Sequence, residues 1–91
     1  MDSDPHKLTE KHEALVHSED RKVTSHVQRK KDEWIINTLV IDGVDVPFRF
    51  KRKKSYRDLK GARVNLTYYP SVESVAGIDM EVMNVVRIRR S

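Results

Sequence analysis

Ninety-one residues with a formal net charge of +4, 35% of them charged and 37% hydrophobic, bound the chain to one domain with a single modest core. The lack of cysteine excludes disulfides and thiolate metal ligands. No apolar run approaches membrane-spanning length, and Met1-Asp-Ser-Asp-Pro5 lacks the features of a secretory leader, so a cytoplasmic location and no membrane partner are expected.

The charge is unevenly spread. Residues 1–20 hold six acids (Asp2, Asp4, Glu10, Glu13, Glu19, Asp20) against two lysines, a balance of −4 that leaves +8 for residues 21–91. An acidic arm on a basic body points to a polyanionic partner, most often nucleic acid, although solubility alone would also account for it. Within the arm, Asp4 is placed to cap a helix that starts at Pro5, with Leu8, His12 and Leu15 at helical spacing. The thin apolar stripe predicts either a short, loosely docked helix or a disordered arm, ending near Ser18–Asp20.

From Arg21 the pattern changes to period two. Val23, Ser25 and Val27 alternate with Lys22, Thr24, His26 and Gln28, which predicts a half-buried strand. A charged turn, Arg29-Lys-Lys-Asp-Glu33, leads into the stretch Trp34–Lys51. There Asp42-Gly43 lies between apolar runs and predicts a hairpin with a type I′ turn, which needs positive φ at both central residues. With Ile41 and Val44 flanking the turn, the pairs are Leu39/Val46, Asn37/Phe48 and Ile35/Phe50. A four-residue turn, Asp42–Asp45, slides this register but keeps the same residues on each face. Those pairs form the core face. Trp34, Ile36, Thr38 and Val40 then share the other face with Asp45, Pro47, Arg49 and Lys51.

After Phe50 comes the basic run Lys51-Arg-Lys-Lys54, then a link, Ser55–Gly61, too short for more than a turn of helix. Ala62–Tyr69 alternates again, with Val64, Leu66 and Tyr68 on one side and Arg63, Asn65, Thr67 and Tyr69 on the other. Pro70 is expected to end this strand because it cannot donate to a ladder. Residues 71–79 are then a loop, and Met80–Arg90 the last strand, with a β-bulge near Asn84 to reconcile its mixed parity.

Five short strands with one apolar face each predict a mainly β domain over residues 21–91, and a small barrel buries those faces without leaving edges. The long first strand Lys22–Lys31, the hairpin at Asp42-Gly43 and the sequence Leu59-Lys-Gly-Ala-Arg-Val-Asn-Leu66 together resemble an OB-fold. The resemblance spans about residues 21–90 and is one of pattern, without a signature motif. An SH3-like barrel is the alternative. Many OB-folds carry a helix where this chain has Ser55–Lys60, so the barrel bottom requires another plug, for which the N-terminal helix is one candidate.

The resemblance implies recognition by the second and third strands and by the loops joining strands one to two and four to five. Carried onto this chain, that selects Trp34, Ile36, Arg49, Lys51, the loop Arg29-Lys30-Lys31 and the loop Pro70–Asp79. Single-stranded nucleic acid needs flat aromatic surfaces for stacking and cations along the phosphate track, which Trp34 and Lys51 supply. Lys53, in the densest basic cluster with Arg57 and Lys60, is a further phosphate candidate, and Tyr69 a further stacking one. Both residue types also have an ordinary structural use, Trp34 as packing under the acidic arm or a loop and the lysines as a solvated strand end.

His6, His12, His17 and His26 fit no compact ligand spacing, so no metal and no cofactor are expected. No nucleophile–base pair or glycine-rich phosphate loop is present, so the expectation is a non-enzymatic, monomeric binder of single-stranded DNA or RNA. The acidic arm is expected to fold onto the basic surface and compete with that ligand. The alternative function is a protein-interaction module that buries Trp34, Ile36 and Val40 against a partner.

Overall fold

The computed structural model describes residues 15–91. The helix or disordered arm expected from Asp4 onward therefore lies, but for its last residues, outside the described residues, and the competition expected of the arm rests on it. The described part is mainly β and contains no helix. Five strands make up one sheet: β1 (Val16–Lys31), β2 (Trp34–Ile41), β3 (Phe48–Arg52), β4 (Arg63–Val75) and β5 (Ile78–Arg90). Their order is β1-β2-β3-β5-β4, and β4 pairs back onto β1 to close the ring. Every neighbouring pair is antiparallel except β3 and β5, which run parallel through Phe48/Met83 and Arg49/Asn84.

Closure depends on β1, which starts five residues earlier than the period-two pattern suggests. Its first part, Val16–Lys22, pairs with β4, and its second, Val23–Lys31, with β2. Two irregularities bend it between these tasks. At the first, Asp20 takes positive φ (56°), and its N–H donates to Asn65 Oδ1 (2.9 Å). At the second, Thr24 is an extra residue between the pairs Val23/Ile41 and Ser25/Val40. That insertion overturns the parity read from the sequence. Val23 faces the interior, but beyond Thr24 it is His26 and Gln28 that face inward, while Val27 is 47% exposed. A one-residue insertion flips every later side chain, and nothing in the local pattern marks it.

The central hairpin keeps the expected faces and takes the longer of the two registers, with pairs Ile35/Arg52, Asn37/Phe50 and Leu39/Phe48. Its turn is not type I′. Val44 N–H donates to Ile41 C=O (3.0 Å), and of the two central residues Gly43 alone has positive φ (83°), as in a type II turn. The type I′ pattern occurs elsewhere, at Ala76-Gly77, where both central residues have positive φ (52° and 81°) and Val75 pairs directly with Ile78. Residues 71–75 and 78–79, expected as loop, are therefore a strand extension.

Pro70 does not end β4. Its partner Met83 donates its N–H to Pro47 C=O (2.8 Å), away from β4, so Pro70 occupies a pair whose backbone groups point outward. On that side the pairing with β1 reaches only to Val16/Tyr68, so among the described residues the missing N–H leaves no bond unmade. The bulge expected in β5 near Asn84 lies two residues on, at Val86, which is skipped between the pairs Thr67/Arg87 and Tyr68/Val85.

Inside the closed sheet Val23, Leu39, Ile41, Phe48, Phe50, Leu59, Val64, Leu66 and Ile88 form the core. Leu59 comes from the β3–β4 link, not from a strand. It is 2% exposed, and with Tyr56 it plugs one end of the ring in place of a helix. Inward polar groups hold it there. Leu59 N–H donates to His26 Nδ1 (2.9 Å), so the ring proton sits on Nε2, which donates to Asn37 Oδ1 (2.8 Å). Gln28 pairs with Tyr56 like a strand neighbour, accepting from its N–H (2.9 Å) and donating to its C=O (2.6 Å). Asn37 is fully buried and spends its Nδ2 on Ile35 C=O (3.3 Å). A buried polar side chain is tolerable only when satisfied in this way.

Leu59→Ala should lower the unfolding free energy in urea by about 3 kcal/mol, the usual cost of a buried leucine truncated to alanine. A loss below about 0.5 kcal/mol, typical of surface positions, would mean that the link is not part of the core.

Candidate nucleic-acid interface

Three strands present their outward residues side by side. Cross-strand register places Val27 beside Thr38, Arg29 beside Ile36 and Lys31 beside Trp34 on β1 and β2. The β2–β3 pairing adds Lys51 beside Ile36 and Arg49 beside Thr38. Trp34, Ile36, Arg49 and Lys51 thus share the outer face, as the alternation within the hairpin predicts. Trp34 is 40% exposed, and the Lys53 ammonium lies 5.2 Å from its ring centroid. Lys53 also approaches Glu33 Oε1 (3.9 Å).

The basic run 51–54 divides by parity. Lys51 and Lys53 point outward, whereas the Arg52 guanidinium turns over the end of the core, 4.8 Å from the Phe50 ring centroid and 5.6 Å from that of Tyr56. Lys30 alternates away from Arg29 and Lys31, but at the strand end its side chain still borders the same groove. Arg87 and Arg89 pair with Thr67 and Asn65 of β4 and not with β3, so they do not extend the patch of β2 and β3.

The β4–β5 hairpin completes the site. On the face that carries Tyr69, residues Ser71, Glu73 and Val75 follow at alternate positions. Val75 and the last residues of β1, Arg29, Lys30 and Lys31, which read as a turn but are paired strand, border a groove of about 620 Å³ floored by Val27, Ile36, Thr38 and Arg49. A second groove of about 330 Å³ continues past Arg49 and Lys51 to Tyr69, Asn84 and Val86. Arg49 belongs to both. Its Nη1 donates to Glu73 in a short ion pair, and its buried Nε has no hydrogen-bond partner among the described residues.

Val27 is the member that sequence reading missed, because it lies beyond the unmarked bulge at Thr24. Thr38 was expected on this face, and Glu73 and Val75 fall within the expected recognition loop Pro70–Asp79, which is instead strand up to Val75 and again from Ile78. His26 invited a metal reading and is a satisfied interior histidine. Among the described residues, no group of three or more His, Asp or Glu side chains is gathered to hold a metal ion. The acids Glu19 and Asp20, counted with the arm, belong to β1, where Glu19 meets His17 (3.1 Å) and Asp20 meets Arg63 (3.6 Å). No family model, curated protein or solved structure matches the chain.

The chain has a single tryptophan, so its quenching reports the local potential. With Lys53, Lys51 and Lys31 on its face, iodide should quench Trp34 several-fold more steeply than caesium at low salt, and the difference should shrink as salt screens the lysines. Equal quenching by the two ions would deny a positive potential at this face.

Proposed function

We propose that the chain is a five-stranded OB-type barrel that binds single-stranded nucleic acid, DNA or RNA, across the outer face of β1, β2 and β3. The carrying observation is the groove between the end of β1 and the β4–β5 hairpin, where Val27, Ile36 and Val75 lie among the cations Arg29, Lys30, Lys31 and Arg49. In OB-folds the recognition surface lies on strands two and three between the first-to-second and fourth-to-fifth connections, and the closed five-stranded order β1-β2-β3-β5-β4 supports that likeness. Bases stack on Trp34, and the strand runs toward Tyr69. Arg29, Lys31 and Lys51 follow the phosphates, while Val27 and Ile36 cover the unstacked edges. Sequence preference is weak on this reading, because stacking and phosphate contacts do not distinguish bases.

One observation favours a second reading, a protein-interaction module. Val40 and Trp34 expose large apolar area on the same face, and Val72, Ile78 and Met80 do so on the β4–β5 hairpin. Scattered exposed apolar residues are ordinary in small domains, and the cations around the groove favour the nucleic acid.

Titration with short single strands of mixed sequence should quench Trp34, with an affinity that falls as salt rises by a logarithmic slope of about −0.7 per phosphate engaged. Trp34→Ala should weaken binding by on the order of tenfold, the usual worth of one stacked base. Lys51→Ala should reduce the slope by about 0.7. Absence of quenching at low salt, together with a salt-insensitive dimer on size exclusion, would replace this reading with the second.

A further inference from the structure

Among the described residues Arg49 is the one cation that borders both grooves, which places it where a strand would cross from the first to the second. Its guanidinium is nonetheless already engaged by a carboxylate. Glu73 reaches it from β4 through Nη1, and the arrangement leaves Nε enclosed without a partner among the described residues. A guanidinium is a fork suited to two oxygens at once, and a contact through one nitrogen uses it poorly. The hairpin that carries Glu73 meets β3 otherwise through the short parallel register Phe48/Met83 and Arg49/Asn84.

Resting on the proposed binding of single strands, we infer that Glu73 is a built-in competitor for Arg49, standing where a backbone phosphate of the ligand sits in the complex. Binding exchanges one anion for another at Arg49. The phosphate takes the guanidinium and supplies an acceptor for Nε, and the displaced Glu73 carboxylate, 43% exposed on its side chain even in the pair, turns to solvent. The site is thereby held below its full affinity. Selectivity also follows, because an isolated carboxylate or a small anion gains little by replacing an identical contact, whereas a polyanion anchored at Trp34 and Lys51 brings its phosphate to Arg49 at high effective concentration.

The test is oligonucleotide binding by Glu73→Gln, with Glu81→Gln as control. Glu81 carries the same charge on the same hairpin but pairs with Val72 on the opposite face. Glu73→Gln should bind short single strands on the order of two- to fivefold more tightly than the unaltered chain, the scale of a lost partly exposed ion pair. Its salt slope should stay close to that of the unaltered chain, because the phosphate engages Arg49 in both. The gain should vanish when Arg49→Met is added, which a double-mutant cycle reads directly. Unchanged or weaker binding by a folded Glu73→Gln would overturn the inference and make Glu73 a positioning residue. An equal gain in Glu81→Gln would overturn it in favour of general charge repulsion. Binding by Glu73→Gln but not by the unaltered chain would support it, and binding by neither would remove the proposed function and the competitor together.

Discussion

One strand has to serve two neighbours on opposite sides of a ring, and the chain meets this constraint by bending β1. The bends at Asp20 and Thr24 let residues 16–22 run along β4 and residues 23–31 along β2. Val23 sits at the joint, paired with Ile41 and bonded through its N–H and C=O to Ala62 and Gly61. The two irregularities bend this sixteen-residue strand, as bulges do, and let the sheet curl back on itself. The same bends decide what points where. They turn His26 and Gln28 inward to fasten the link, and Val27, Arg29 and Lys31 outward to form one wall of the groove.

Interior and exterior treat polar groups oppositely. Inside, His26, Gln28 and Asn37 find their hydrogen-bond partners and hold Leu59 against the core. These bonds make a helix-free link an adequate plug. Outside, Arg49 is half-buried, engaged at one nitrogen and without a partner for Nε among the described residues. A chain that satisfies its interior so fully leaves its incompletely satisfied side chain, Arg49, on the border of both grooves.

The faces of β2 and β3 were legible in the sequence because strict alternation over Ile35–Ile41 and Phe48–Phe50 admits one assignment whichever register the turn selects. The parity of Val64, Leu66 and Tyr68 was legible for the same reason. The faces of β1 were not. An inserted residue at Thr24 has no signature in composition, and valines at 23 and 27 suggest a common face that the bulge separates. The β4–β5 hairpin was misread because its turn uses Ala76, an unusual residue for positive φ, and because Pro70 looks like a terminator unless the neighbouring strand is known to have stopped. That Trp34, Arg49 and Lys51 share a face was thus legible from the hairpin alone, while the approach of Glu73 to Arg49 depends on the distant pairing of Phe48 with Met83 and Arg49 with Asn84.

The central claim is that the outer face of β1–β3, roofed by the β4–β5 hairpin, is the ligand surface. Amide chemical-shift mapping with a mixed pool of short single strands tests it most directly. Shifts should concentrate at Arg29–Lys31, Trp34, Ile36, Thr38, Arg49, Lys51, Tyr69 and Val75, leaving Tyr56–Leu59 and the Arg87–Arg90 end of β5 unmoved. Shifts confined to that link and strand end, or none at any strand concentration, would contradict the account.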